Sequence, residues 1–206
     1  MTTKTTNILL ALDLLVLGGI LIRQSAASQS FAMQSSAQSA TKDNEELMRI
    51  EQEDQDDRTP SARKSYDWTV LARRDDARLA RVKELYRQNK LQTGNDYFRA
   101  ALILQHSQAS EDYLLAHELC VVALSKGKPN AGALDARGLA AATEDRFLMS
   151  IGRPQRFGTQ YRRESENAPA KLYKTDSGVT DELRSLMNVP SLAGAKAQEA
   201  EMNRNK

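Results

Sequence analysis

The 206 residues are 40% hydrophobic and 27% charged, an ordinary globular balance with room for one domain and a tail. Twenty-nine Lys and Arg against 27 Asp and Glu leave a net charge of +2, so no global basic field exists and no nucleic-acid partner is expected. One cysteine excludes an intramolecular disulfide framework and a thiolate-rich zinc site, and no metal or other cofactor is expected.

Residues Ile8 to Ile22 form an apolar run of fifteen interrupted only by Asp13, preceded by Lys4 and followed by the small residues Ser25-Ala26-Ala27. That is the order of a secretory signal peptide. A spanning helix needs roughly 20 apolar residues, so the run is short for one. Lys4 and Arg23 flank it almost symmetrically and give no orientation. Residues 1–27 are therefore expected to be a signal peptide or a membrane anchor, with residues 8–22 as the tether in the second case. The protein is then exported to the periplasm or extracellular space, or held at the membrane. Cleavage after Ala27 would leave 27 basic against 26 acidic side chains.

Residues 28–65 are expected to be a disordered linker. Its first part is rich in Ser, Gln and Ala and cannot bury enough surface to offset its ordering entropy. Residues 43–57 hold eight acids against Arg49, with Leu47, Met48 and Ile50 too few for an amphipathic helix. A solvated tether is the plain reading of this run, and an acidic docking segment the sharper one. It is set against a basic first helix, so the two can screen each other or pair.

The folded part is expected over residues 66–197, with a disordered tail over 198–206. The fold class is mainly α: a compact bundle of short antiparallel helices, hairpin-like, with a small β-hairpin toward the C-terminal part. Over Asp76 to Asn89 the residues Leu79, Val82, Leu85 and Tyr86 share a face, and Arg74, Arg78, Arg81 and Arg87 lie opposite as a solvated one. Thr93 to Asp96 has the spacing of a capping box and opens a helix to His106 that is apolar on nearly all sides, hence central. Ser110 is placed as the cap of a helix over Glu111 to Ser125, and Asn130 as the cap of one from Ala131 to about Met149. Phe157 to Arg162 and Lys171 to Lys174 are short candidate strands, Thr180 caps a short helix, and Ser191 caps a last, Ala-rich one. No 34-residue self-similarity supports a repeat array.

Few polar residues stand out. Leu134, Gly138, Ala141, Asp145 and Leu148 follow at helical spacing, which puts an acid inside an apolar stripe. A buried carboxylate needs a partner, and Arg146, one residue on, faces elsewhere. Asp145 is either a structural ion pair or loop cap, or a catalytic acid. His106 ends the apolar helix behind Gln105 and is either a packing histidine at a helix C-terminus or a general base. His117 and Cys120 sit in a largely apolar helix and read as core residues. The run from Gly152 to Gln160 holds two glycines, a proline, two glutamines and Thr159. That makes a shaped loop whose amides can bind a peptide, a sugar or the protein's own backbone.

The Gln105-His106 pair, the Asp145-Arg146 pair and Gly152-x-x-Gln155-x-Phe157-Gly158-Thr159-Gln160 resemble an uncharacterised bacterial domain-of-unknown-function family that carries these signatures. Asp181 to Arg184 and Val189 to Leu192 resemble its C-terminal end, and the likeness spans roughly Asp75 to Ala195. Phe157 stands where Tyr is common in that family. The resemblance implies no activity or substrate, but it implies that His106, Asp145, Arg146, Gln155 and Gln160 share one location.

Two functions follow. One is a binding domain that takes an unknown ligand or protein partner through Gln105, Arg146, Gln155, Thr159 and Gln160. The other is a hydrolase or transferase with His106 as base, Asp145 as orienting or acid group, and the glutamines holding a developing oxyanion. Catalysis needs a matched set, and no nucleophile elbow, phosphate loop or metal cluster completes one. Binding is the favoured reading.

Overall fold

The computed structural model describes residues 42–59, 67–127, 135–165 and 168–204. The expected signal or anchor and the Ser/Gln/Ala-rich stretch lie outside these residues. Among the described residues the chain is mainly helical, with seven helices and one two-stranded hairpin.

Over residues 45–57 the first element overturns the linker expectation; residues 28–41 and 60–65 lie outside the described residues. Residues 45–57 are an ordered helix, α1 (Glu45–Asp57), opened by Asn44, whose side chain accepts the N–H of Glu46 and of Leu47. Leu47 and Ile50 are buried, and the next position on that face, one turn on, is the buried Asp54. An acid at the third core position is what made the apolar pattern illegible.

The basic helix also starts earlier than its hydrophobic period shows. Asp67 caps α2 (Trp68–Arg87) through the N–H of Thr69 and Val70. Leu79, Val82 and Leu85 are buried as expected, whereas Tyr86 is exposed and Arg78, placed on the solvent face by its charge, is buried. The reason is α1. Its acids offer Arg78 partners that cancel the cost of burying a guanidinium.

The capping box forms as its spacing requires and opens α3 (Gly94–Leu104). Asp96 accepts from the N–H of Thr93 (3.0 Å) and also from that of Asn44 (2.8 Å), so one carboxylate ties the starts of α1 and α3 together. Phe98 and Ala100 to Leu104 are all buried, and α3 packs against α1, α2, α4 and α5 as the central helix. α4 (Ser110–Ser125) begins one residue before expectation, with Ala109 at the N-cap and no side-chain cap. Asn130 and Ala131 lie outside the described residues. α5 (Ala136–Ser150) is capped by Asp135, whose side chain accepts the Gly138 N–H at 2.8 Å.

After α5 the chain forms a loop and a hairpin shorter than expected, β1 (Tyr161–Arg162) antiparallel to β2 (Lys171–Leu172), with Tyr161 opposite Leu172. Thr180 caps α6 (Asp181–Leu186), as its position predicted. α7 (Leu192–Arg204) runs through most of the segment expected to be a frayed tail. It is held because Asn203 brackets the Ala170 backbone, donating to its C=O (2.9 Å) and accepting from its N–H (2.8 Å), while Glu199 accepts from the Leu172 N–H (2.5 Å). The main core lies among α1 to α5. A second, small one gathers Ala141, Phe157 and Val179, with Met187 and Val189 packed on it.

Candidate functional site

The glutamine loop and Asp145 do come together, and the contacts that join them are internal. The fully buried Asp145 carboxylate accepts four hydrogen bonds from one loop. The N–H groups of Arg156 (2.6 Å) and Phe157 (2.9 Å) donate to Oδ1; the N–H (3.0 Å) and hydroxyl (2.8 Å) of Thr159 donate to Oδ2. The carbonyls of the same loop face the buried Arg184, whose Nε donates to Phe157 O (3.1 Å) and Nη2 to Arg156 O (3.1 Å), with Nη1 on Val179 O (2.7 Å). An acid therefore holds three amides of this turn and a guanidinium two of its carbonyls. Gly158 sits inside it at a positive φ of 82°, where a Cβ would be strained.

Gln155 is used as completely. Its Nε2 donates to Gln160 O (3.0 Å) and Tyr173 O (2.9 Å), and its Oε1 accepts from the Gln160 N–H (2.8 Å). Both donor protons and the acceptor oxygen are thus engaged with backbone. Gln160 turns its own amide onto Thr159 Oγ1 (2.9 Å) and Ala142 O (3.4 Å). The pattern that looked like a ligand cradle is a latch between α5, the hairpin and α6.

The other predicted residues lie apart from this latch. Arg146 packs against Tyr113 of α4. Burial lowers its pKa, the Tyr113 phenol opposes that shift, and its Nε has no hydrogen-bond partner among the described residues. Gln105 is buried at the C-cap of α3. His106 has Asp54 as its carboxylate neighbour, not Asp145: its Nε2 is 3.4 Å from Asp54 Oδ2. The pairing that a His106–Asp145 acid–base mechanism needs is not among the contacts of either residue. Cys120 is buried among apolar groups, which push its thiol pKa up to about 12, and His117 bonds the Ala140 carbonyl (3.0 Å).

His106 does open onto a cleft, of about 640 Å³, between α2 and the turn that joins α3 to α4. The wall is fixed by a chain of polar contacts. Lys83 Nζ and the buried Ser107 hydroxyl both donate to Asp112 Oδ2 (2.5 Å each), Ser107 Oγ accepts the Ala109 N–H (3.1 Å), and the Tyr113 hydroxyl donates to the Ser107 carbonyl. The Ser107 hydroxyl thus bridges Asp112 and the Ala109 N–H and fixes the turn that walls the cleft. Ala72, Leu79, Ala80 and Ala109 make a low apolar floor, and Asp76 and Arg87 stand on α2 toward opposite ends.

Below the cleft lies the network that docks α1. Asp54 is 2.7 Å from Arg58, and Arg78 reaches Asp57 (2.8 Å) and Asp75 (2.7 Å), with Arg58 also on Asp75 (3.0 Å). Burial alone would raise the Asp57 pKa, but the hydrogen bonds and charges of Arg78, then Arg74, outweigh it and hold it below the usual carboxylate range. The sequence reading missed Lys83, Ser107 and Asp112 as site residues because they gather from two helices and a turn. The signal that could have found Asp54 is its position one turn after Ile50 on an otherwise apolar face.

Among the described residues no group of three or more His, Cys, Asp or Glu side chains is arranged to hold a metal ion, and no helix is long and apolar enough to cross a membrane. Compared with protein-family models, with curated proteins and with solved structures, the chain finds no match.

Proposed function

We propose that this protein is a non-enzymatic binding domain, exported or anchored through residues 8–22, that receives a ligand or partner chain in the cleft between α2 and the α3–α4 turn. The cleft itself carries the reading. It is a 640 Å³ concavity whose wall is braced by Lys83, Asp112 and Ser107, and whose rim keeps Asp76 and Arg87 outside any ion pair among the described residues. Eight of its twelve lining residues are polar or charged, so the cleft suits a polar or charged ligand. The Gln155 and Gln160 loop supports it only as scaffold, since its amides are occupied internally.

The test is a screen of polar fragments and short peptides by amide chemical shifts, in wild type and in Ala80→Trp. Ala80 is an exposed floor residue, so the indole fills the cleft without entering the core. Ligands are expected to move amides of residues 76–87 and 106–109 in the wild type and to lose that effect in the variant. A screen whose ligands move only other amides, or none, overturns the proposal. For export, the mass of the chain from each cell fraction is expected to show loss of residues 1–27 or retention with membrane. An intact chain in the cytoplasmic fraction overturns that part.

A further inference from the structure

The cleft has a charge order that narrows what it can take. Asp76, Ala80, Lys83 and Arg87 follow at spacings of four, three and four, so they stand in one row along α2. Lys83 is neutralised by Asp112, and Asp75 by Arg58 and Arg78. What remains of opposite sign on this row is Asp76 at one end and Arg87 at the other, both exposed and neither in an ion pair among the described residues. They stand eleven positions apart, about 16 Å along the helix axis. The floor between them is Leu79, Ala80 and Ala109, an apolar strip that joins the two charged ends.

We infer that the ligand of this cleft is an extended peptide segment bearing a cationic group and an anionic group about five residues apart, the cation on Asp76 and the anion on Arg87. The spacing follows from the rise of an extended chain, about 3.3 Å per residue. The inference rests on the cleft being the binding site and goes beyond it in naming the ligand. A small anion or cation alone would engage one end only. A uniformly charged chain would meet repulsion at the other. The opposite-sign pair is a filter as well as an attraction, since a reversed ligand places like charges together.

The probes are fluorescein-labelled synthetic peptides with a Ser/Gly spacer, carrying one Lys and one Glu two, five or eight residues apart, in both chain directions, plus Lys-only and Glu-only controls. The five-residue spacing, in one of the two directions, is expected to bind at least tenfold more tightly than any other member at low ionic strength. It is expected to lose that advantage in Asp76→Arg and in Arg87→Glu. The double exchange Asp76→Arg/Arg87→Glu is expected to restore binding with the opposite chain direction preferred. Both positions are on the surface, so folding is checked by an unchanged helical spectrum. Equal binding of all spacings, binding insensitive to both single exchanges, or no binding by any member overturns the ligand class. If that happens while Ala80→Trp still abolishes the shifts caused by other ligands, the cleft stands as a binding site and only the peptide inference falls. If Ala80→Trp has no effect either, both fall.

Discussion

Asp145 shows how a single buried charge organises a whole loop. Its four acceptor contacts satisfy three backbone amides and a hydroxyl that would otherwise be orphaned in a dry interior. Asp145→Asn keeps the shape but removes the charge and sets an NH₂ against N–H donors. It is expected to cost about 3 kcal/mol, the scale of losing charge-assisted bonds with partners left buried, read as a lower urea midpoint with an unchanged slope. A loss below half that size would mean the loop is held mainly by Arg184 and Gln155. Arg78 is the second such residue. It serves Asp57 and Asp75 and lies 3.8 Å from Asp54. Arg78→Ala takes one of two arginines from each of Asp57 and Asp75, leaving Arg74 and Arg58 in place, and is expected to cost about 1.5–3 kcal/mol, the scale of hydrogen bonds to charged groups, measured the same way.

At the scale of elements, α1 is a helix attached by charge as much as by apolar area. Glu46 pairs with Arg81 (2.6 Å), Asp43 and Glu51 with Arg99 (2.7 Å each), and Asp57 with Arg74 and Arg78. Hydrogen bonds from Arg81 lower the Glu46 pKa; for Asp43, burial opposes but Arg99, Thr93 and Asn95 prevail and lower it too. A carboxylate with a depressed pKa contributes stability that is complete above its unfolded value, near 3.8 for Asp and 4.5 for Glu, and is lost as pH falls through the folded value. The docking of α1 is therefore expected to be flat with pH above about 5 and to fail in acid below the ordinary carboxylate range. Amide exchange of residues 45–57 against pH measures this. Protection lost already near neutrality would contradict it. The same docking hides the element from sequence: the acids that seemed to solvate a tether face the arginines that seemed to solvate a helix, and each run excuses the other's burial.

For the whole molecule, the core is continuous enough to make the single thiol a reporter. Cys120 lies in α4 at the centre of the main cluster, with its ionisation suppressed by burial. Its reaction with a thiol reagent at pH 8 is expected to be slow in the native protein and to track global unfolding in urea. Fast labelling without denaturant would show that α4 opens locally.

Helix periods made most of the bundle legible. Where apolar residues recur along a short chain segment, as over Leu79 to Leu85 or Phe98 to Leu104, local sequence suffices because burial of a stripe is decided within one helix. The capping of α3 and α6 and the position of the hairpin were legible for the same reason: the caps bond three residues on, and the hairpin pairs residues no more than eleven apart. The candidate site was not. Asp145 was recognisable as buried, but whether it served a ligand or the chain depended on the loop from Arg156 to Thr159 folding back on it. The order of α1, the burial of Arg78, the docking of α7 and the cleft beside His106 all rest on side chains far apart in sequence that meet only in the folded chain. A charge reads as solvated until its partner is placed, and placement is a property of the tertiary structure alone.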